Sequence, residues 1–135
     1  MEIFHLEKDI TVFYVQAESY PEGIMAAHQQ LHSKVPFSRA RGYFGLSRPN
    51  EKGVIQYYAC AEEMQAGEAA QYGCPCIILK AGNYNSVDLT NYRTQLSMIG
   101  ETFQKLLNQP GIDPQGYCVE WYLNETDMRA MVRLA

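Results

Sequence analysis

A single carboxylate stands inside an apolar segment near the end of the chain. The residues from Cys118 to Tyr122 alternate as in a β-strand, where consecutive side chains point to opposite faces. Glu120 therefore shares one face with Cys118 and Tyr122. Burying an unpartnered carboxylate is unfavourable, so a protein that places one in a strand either pairs it or uses it in binding or catalysis.

This segment is expected to form a hairpin with the residues that follow it, through a turn at residues 124–127. The turn would set three pairs of residues opposite each other: Tyr122 and Arg129, Glu120 and Met131, Cys118 and Arg133. The Glu120 face would then be chemically mixed, whereas the other face, which includes Trp121, is apolar enough to be a core face. We therefore expect functional residues on the Glu120 face.

Short identities indicate an internal repeat. Gly42-Tyr43 recurs 74 residues further on as Gly116-Tyr117, and Asn50-Glu51 recurs at the same distance as Asn124-Glu125. Residues 15–20 also resemble residues 79–84. Because the order of predicted elements repeats as well, the pattern favours a duplication with halves at about residues 1–68 and 69–135.

The elements that must position these residues follow from hydrophobic periodicity. Strands are predicted at residues 10–16, 41–48, 54–64 and 76–81, besides the final hairpin. One helix is predicted over residues 24–35, ended by Pro36. A second helix is predicted to begin near Ser86 or Asp88, and its apolar stripe comprises Leu89, Tyr92, Leu96, Ile99, Phe103 and Leu106.

These elements predict one α+β domain over residues 1–135, built as a duplicated βαββ unit. An antiparallel sheet would carry two helices on one side. The other side would be partly open, with a ligand cleft between halves related by a pseudo-two-fold axis.

The repeat distance of 74 residues identifies an equivalent of the Glu120 face on the predicted strands at residues 41–48 and 54–64, which would form a first hairpin. The candidate ligand-binding residues are then Glu120, Tyr122, Tyr57, Phe44, Leu46 and Met131. An aromatic and aliphatic concavity with one acid suits a small apolar or cationic molecule, since apolar area supplies affinity and the carboxylate orients the ligand. The alternative is structural: Arg129 and Arg133 lie diagonal to Glu120 in the predicted hairpin and could pair with it.

Composition and motifs exclude several other classes of function. The net charge is −4 without a basic run, so nucleic acid and anionic membranes are not expected partners. No apolar stretch approaches the roughly 20 residues of a bilayer span, and no signal peptide is recognised, so a cytoplasmic location is expected. His28 and His32 have metal-binding spacing but no third ligand nearby, and Cys74-Pro75-Cys76 is too tightly spaced for a zinc knuckle. We expect no metal and no cofactor.

Four segments carry a family resemblance: residues 41–46 (Arg-Gly-Tyr-Phe-Gly-Leu), 56–61 (Gln-Tyr-Tyr-Ala-Cys-Ala), 81–84 (Ala-Gly-Asn-Tyr) and 119–122 (Val-Glu-Trp-Tyr). With the doubled βαββ pattern, they resemble the gyrase-inhibitor-like small-molecule-binding superfamily. That superfamily includes the effector-binding domains of AraC-type and MerR-type transcription regulators. The resemblance implies that Glu120 and Tyr122 occupy its Glu-x-Tyr position, which contacts cationic, lipophilic ligands.

The same resemblance supports two further functions. Some stand-alone members are hydrolases of strained cyclopropane-bearing compounds that use the pocket glutamate, and the haem-binding SOUL proteins share the duplicated fold. The regulators carry a helix-turn-helix domain before the pocket, whereas a strand is predicted here within ten residues of Met1. We therefore expect a stand-alone binding domain for a lipophilic cation, with a regulator protein as a further candidate partner. A hydrolase using Glu120 and Tyr122 is the alternative, and haem capture near Cys74 or a histidine is a minor one.

Overall fold

The computed structural model describes residues 1–135, which form an eight-stranded antiparallel sheet with helices on one face. The elements, in chain order, are β1 (Glu2–Leu6), β2 (Ile10–Gln16), α1 (Ile24–Lys34), β3 (Tyr43–Pro49), β4 (Ile55–Glu62), α2 (Glu68–Gln71), β5 (Cys76–Leu79), β6 (Gly82–Leu89), α3 (Ser97–Leu107), β7 (Cys118–Tyr122) and β8 (Met128–Arg133), with a 3₁₀ turn at Tyr92–Thr94. The predicted α+β class is confirmed. None of the helices combines the length and apolarity needed to cross a membrane.

The sheet curls into a half-barrel. Its strand order is β1-β6-β8-β7-β3-β4-β2-β5, so β1 lies at one edge while β2 lies next to the other. Only residues 7–9 join these two strands, and so short a connection requires the two sides of the sheet to approach each other. Every strand contributes a buried residue to one cluster on the concave face: Leu6, Val12, Phe44, Leu46, Cys60, Leu79, Tyr84, Val119 and Met131.

Both long helices pack on the convex face. α1 buries Ala27 and Leu31 against β2 and β4, and it ends where Val35 becomes extended before Pro36, a position that disfavours helix. α3 buries Leu106 against β8. The two helices thus cover the two ends of the sheet and leave the central strands β3 and β7 between them.

The predicted second helix begins too early. The residues around Ser86 and Asp88 belong to β6, which pairs with β1 and β8, and the helix starts only at Ser97. The capping residues and apolar stripe could not show this, because sheet pairing across the chain outweighs local helix signals. The short strand β1, which exposes Glu2 and Ile3, was missed for a similar reason.

The strand order is symmetric although the units are not simple βαββ units. If each strand of the first half is exchanged with the strand four places later in the chain (β1 with β5, β2 with β6, and so on), the strand order reads the same from the opposite edge of the sheet. Each half has an additional first strand, and that strand lies beside the other half: β1 pairs with β6, and β5 pairs with β2.

The register of the last hairpin differs by one residue from the predicted one. Tyr122 pairs with Met128, Glu120 with Ala130 and Cys118 with Val132. The connection contains five residues, 123–127, and is fixed by Asn124 Oδ1, which accepts hydrogen bonds from the amides of residues 126 and 127. Because side chains alternate along a strand, this slip moves Met131 to the concave face, away from Glu120.

The predicted faces of β3 are also wrong. Gly45 lies directly opposite Glu120 across the β3–β7 pairing, so Phe44 and Leu46 point to the concave core. Same-face residues of the β3–β4 hairpin and of the β7–β8 hairpin are therefore an odd number of positions apart, whereas the repeat predicted an even spacing of 74. Glu120 consequently lies on the face that carries the helices, not on an open side of the sheet.

Candidate functional site

The Glu120 carboxylate is held by two tyrosine hydroxyls. Tyr57 Oη donates to Glu120 Oε1 at 2.9 Å, and Tyr122 Oη donates to the same oxygen at 2.5 Å. Tyr122 is two residues further along β7, and Tyr57 reaches across from β4, two strands away. The site is therefore assembled from both halves of the chain at the centre of the sheet.

The second carboxylate oxygen is unpaired. Glu120 Oε2 accepts no hydrogen bond from the protein. It is nevertheless not fully buried, because Arg41 Nε is the only fully buried side-chain nitrogen or oxygen atom without a hydrogen-bond partner. Glu120 is only partly buried by accessible surface. Oε2 is thus reachable by solvent or by a ligand, while Oε1 is anchored inside.

Aromatic rings surround this carboxylate. Tyr20, which precedes α1, stacks on Tyr57 with ring centroids 6.1 Å apart, and Tyr92 lies 5.9 Å from Tyr122. His28 of α1 meets the rings of Tyr57 and Tyr122 edge-on, and its Nε2 lies 2.8 Å from Tyr57 Oη. We call Tyr20, His28, Tyr57, Tyr92, Glu120 and Tyr122 the Glu120 cluster.

Gly45 forms the floor of the cluster. A Cβ atom added to Gly45 would fall onto Tyr57 Oη and would lie 2.7 Å from Glu120 Oε1. Glycine inside a strand often marks such a close approach. The backbone of β3 thus makes room for the two polar groups to meet above it.

No basic side chain neutralises Glu120. Arg129 pairs with Asp88 at 2.8 Å, and Arg133 pairs with Asp113 at 3.1 Å. The structural ion pair considered as the alternative is therefore not formed. Because both guanidinium groups are already engaged elsewhere, the carboxylate remains available as a counter-ion.

Burial shifts the ionisation of the whole cluster. It raises the pKa of Glu120 above its ordinary value, although the hydrogen bonds from Tyr122 and Tyr57 act in the opposite direction. Burial also raises the pKa of the Tyr57 and Tyr122 hydroxyls, and the nearby Glu120 charge adds to this effect. Burial lowers the pKa of His28 to about 4, with a smaller contribution from His32. The two phenols and the imidazole are therefore neutral at pH 7.

A surface depression of about 470 Å³ lies beside the cluster rather than above Glu120. It is lined by residues 16–20 and 54–56. Tyr20 belongs both to this depression and to the cluster. Val54 and Ile55, which are 56% and 37% exposed, add apolar surface to it.

Of the six predicted site residues, the structure brings three together: Glu120, Tyr122 and Tyr57. Phe44, Leu46 and Met131 lie in the concave core instead, on the opposite face. Sequence reasoning missed Gly45, Tyr20, His28 and Tyr92. A glycine inside a predicted strand was a usable signal for Gly45, whereas nothing local connects Tyr20 or His28 with Glu120.

The other candidate groups are separate from the cluster. No group of three or more histidine, cysteine or acidic side chains is arranged to hold a metal ion. His32 packs against Phe37 and Tyr43 rather than sharing a site with His28. The four cysteines are free thiols, with Cys74 buried and Cys76 exposed.

Comparisons with known proteins identify the fold. No protein-family model and no curated protein sequence matches the chain. Among solved structures, an integron cassette protein from the mobile metagenome of Vibrio cholerae, VCH_CASS2, has a TM-score of 0.71 at 11% identity, over 99% of this chain and 95% of that one. SAV2435, solved bound to tetraphenylphosphonium, has a TM-score of 0.71 at 12% identity, over 99% and 93%. A hydrolase from Listeria innocua has a TM-score of 0.59 at 8% identity, over 99% and 90%. At these identities the chain shares a fold with the three proteins.

The close approach at Gly45 is tested by Gly45→Ala. The added methyl group collides with Tyr57 Oη and Glu120 Oε1, so we expect a loss of about 1–3 kcal/mol in the free energy of unfolding, measured by urea denaturation. Gly100→Ala is the matched control, because Gly100 lies inside α3 with open space around it, and alanine there should be neutral or stabilising by up to about 1 kcal/mol. Equal effects of the two substitutions would contradict the proposed floor.

The raised pKa of Glu120 has a measurable consequence for stability. The folded protein holds this proton more tightly than the unfolded chain, so folding is favoured below the ordinary value of 4.5 and loses that contribution as pH rises through the folded-state pKa. Glu120→Gln cannot ionise. Its stability relative to the wild type should therefore increase from pH 4 to pH 7, as followed by urea denaturation at each pH. A difference that is constant, or that shrinks with pH, would mean that Glu120 is not destabilised by burial.

Proposed function

We propose that this protein binds lipophilic cations, with Glu120 as the counter-ion. The observation that carries the proposal is a partly buried carboxylate with one anchored oxygen, one unpaired oxygen and no basic partner, set among aromatic rings. A cation placed there would replace the lost hydration of Glu120 by direct charge attraction. It would also lower the pKa of the carboxylate towards its ordinary value.

The aromatic residues favour a delocalised or quaternary cation. Ring faces attract cations, and a weakly hydrated cation loses little when it leaves water. Phenol oxygens that already donate to Glu120 have no proton left for a ligand. The ligand is therefore held by charge and apolar contact rather than by a set of directed hydrogen bonds.

The depression beside Tyr20 is where we place the apolar part of the ligand. Tyr20 is 45% exposed and lies between the depression and the stacked ring of Tyr57, so a ligand that contacts Glu120 can extend past Tyr20 onto Val54 and Ile55. Burial of this exposed apolar surface would supply affinity. Glu120 would keep the inner end of the binding site polar.

The comparisons support this class of ligand. A protein of the same fold has been solved bound to tetraphenylphosphonium, a large lipophilic cation, although only 12% of residues are identical. Together with the Glu-x-Tyr pattern at Glu120 and Tyr122, this favours membership of the gyrase-inhibitor-like superfamily and an origin by duplication, which the symmetric strand order also supports. We further propose that this small-molecule-binding domain acts in the cytoplasm. A regulator protein is its candidate partner.

Binding is tested with tetraphenylphosphonium and the neutral compound triphenylphosphine oxide, by titration calorimetry at pH 7. Glu120→Gln should weaken binding of the cation about ten- to hundredfold, the size of a partly desolvated charge attraction. Binding of the neutral compound should change less than about threefold. The reason is that only the cation interacts with the carboxylate charge.

Glu125→Gln, in the exposed turn between β7 and β8, is the matched control and should leave both affinities unchanged. Equal weakening of both compounds by Glu120→Gln would point to lost packing instead of a counter-ion. No binding of the cation to the wild type would remove the proposed ligand class.

A hydrolase is the second candidate. The observation that favours it is the continuous hydrogen-bonded set of Glu120, Tyr57, Tyr122 and His28, which combines a carboxylate of raised pKa with three neutral polar groups. One protein of the same fold is a hydrolase, at 8% identity. In this reading Glu120 accepts a proton from the attacking water, which enters beside Oε2.

Incubation with strained, electrophilic cyclopropane compounds tests this candidate. If the protein is a hydrolase, product should form at a rate that falls at least about a hundredfold in Glu120→Gln, as expected for loss of a general base. Product formation that persists in Glu120→Gln, or none with the wild type, would reject a catalytic role for this carboxylate.

A further inference from the structure

We propose that His28 is a positioning residue of the binding site. By donating its Nε2–H to Tyr57 Oη, it directs the hydroxyl protons of Tyr57 and Tyr122 onto Glu120 and keeps the carboxylate anionic. This inference rests on the proposed function, in which the anion is the cation-binding group. It assigns a role to a histidine that touches Tyr57 and Tyr122 but accepts no bond from them.

With Glu120 ionised, as the proposed function requires, the count of protons in the cluster fixes the direction of each hydrogen bond. A tyrosine hydroxyl has one proton, and both Tyr57 and Tyr122 donate this proton to Glu120 Oε1. His28 Nε2 lies 2.8 Å from Tyr57 Oη, and no proton remains on that oxygen to point at the ring. The contact is therefore a hydrogen bond only if Nε2 carries the proton. His28 must be the Nε2–H tautomer.

This arrangement strengthens the hold on Glu120. A hydroxyl that accepts a hydrogen bond becomes a better donor, so the bond from His28 polarises Tyr57 towards the carboxylate. Tyr122 Oη lies 3.4 Å from the same nitrogen, so His28 faces both phenols from the helix side. Without His28, Tyr57 would lose the polarising donor, and the phenol would be free to rotate its proton away from Glu120.

His28 itself stays neutral in this role. Burial lowers its pKa to about 4, and Nδ1 makes no hydrogen bond within the protein. Acidification therefore first neutralises Glu120, whose pKa is raised, and then adds a proton at His28 Nδ1, which places a positive charge beside the site. The titratable groups that face His28 or its partners are His32 on α1, Tyr57 on β4, Cys118, Glu120 and Tyr122 on β7, and Tyr20 and Tyr92 on the flanking segments. Both changes favour release of a bound cation at low pH.

The tautomer can be observed directly in the wild-type protein. Nitrogen-15 NMR of histidine-labelled protein at pH 7 should show His28 with a protonated Nε2 and a bare Nδ1. A His28 that carries its proton on Nδ1, or that is doubly protonated at pH 7, would overturn the proposal without any substitution. This readout does not depend on ligand binding.

Substitutions test the effect on Glu120. His28→Gln keeps an N–H donor near the position of Nε2, whereas His28→Leu removes it. In His28→Leu the carboxyl carbon of Glu120, followed by carbon-13 NMR, should titrate at higher pH than in the wild type, and tetraphenylphosphonium affinity at pH 7 should fall about two- to tenfold, the value of one hydrogen bond. His28→Gln should restore both quantities towards the wild type.

His32→Leu, one turn further along α1, is the control and should leave the Glu120 titration unchanged. An unchanged Glu120 midpoint in folded His28→Leu would show that His28 only fills space. The two proposals fail in different ways: if the wild type binds no cation, the proposed ligand class fails, while the tautomer and the Glu120 midpoint still decide the role of His28. If the cation binds but the midpoint does not move, only the positioning role fails.

Discussion

The carboxylate of Glu120 is held on one oxygen by two neutral phenols, and no cationic side chain approaches it. An arginine in the place of either tyrosine would lower the carboxylate pKa, but it would also satisfy the charge internally. Phenols hold the group in place while leaving its charge uncompensated. Burial without compensation is unfavourable for folding, and the same imbalance is what a bound cation would relieve. In the proposed function, stability and binding are thus opposed in this one group.

The curled sheet accommodates this carboxylate because its two faces differ: one carries an apolar core and the other carries the polar cluster. The concave face collects apolar residues from all eight strands, including Phe44, Leu46 and Met131, into one continuous core cluster. On the convex face, α1 packs on β2 and β4 while α3 packs on β8, so each helix covers one end of the sheet. Glu120 lies on this face between the two helices, and His28 of α1 packs against the tyrosines that hold it. Oε2 of Glu120 is therefore reachable from solvent without opening the concave core.

Both candidate functions draw on the same atoms, and the proton positions distinguish them. A binding site needs Glu120 to stay anionic and its phenols to stay oriented, which is what a neutral His28 donating to Tyr57 would secure. A hydrolase needs Glu120 to accept and return a proton, for which a raised pKa is useful. The reachable Oε2 is available for either a ligand cation or a water molecule. The hydrogen bonds on Oε1 explain why the carboxylate keeps one orientation in both cases.

The sequence determined the elements whose signals are local. Period-two alternation identified β2, β3, β4 and the last hairpin, helical spacing and Pro36 identified α1, and alternation alone placed Tyr122 beside Glu120. Tyr57 was assigned to the correct face, although by a repeat distance of the wrong parity. Only the tertiary structure decided the rest, because pairing register depends on contacts between distant strands. One additional residue in the turn after β7 moved Met131 to the other face, and the β3–β7 pairing turned Phe44 and Leu46 into the core. The approach of Tyr20, His28 and Gly45 to Glu120 depends on how helix and sheet pack, which no local pattern encodes.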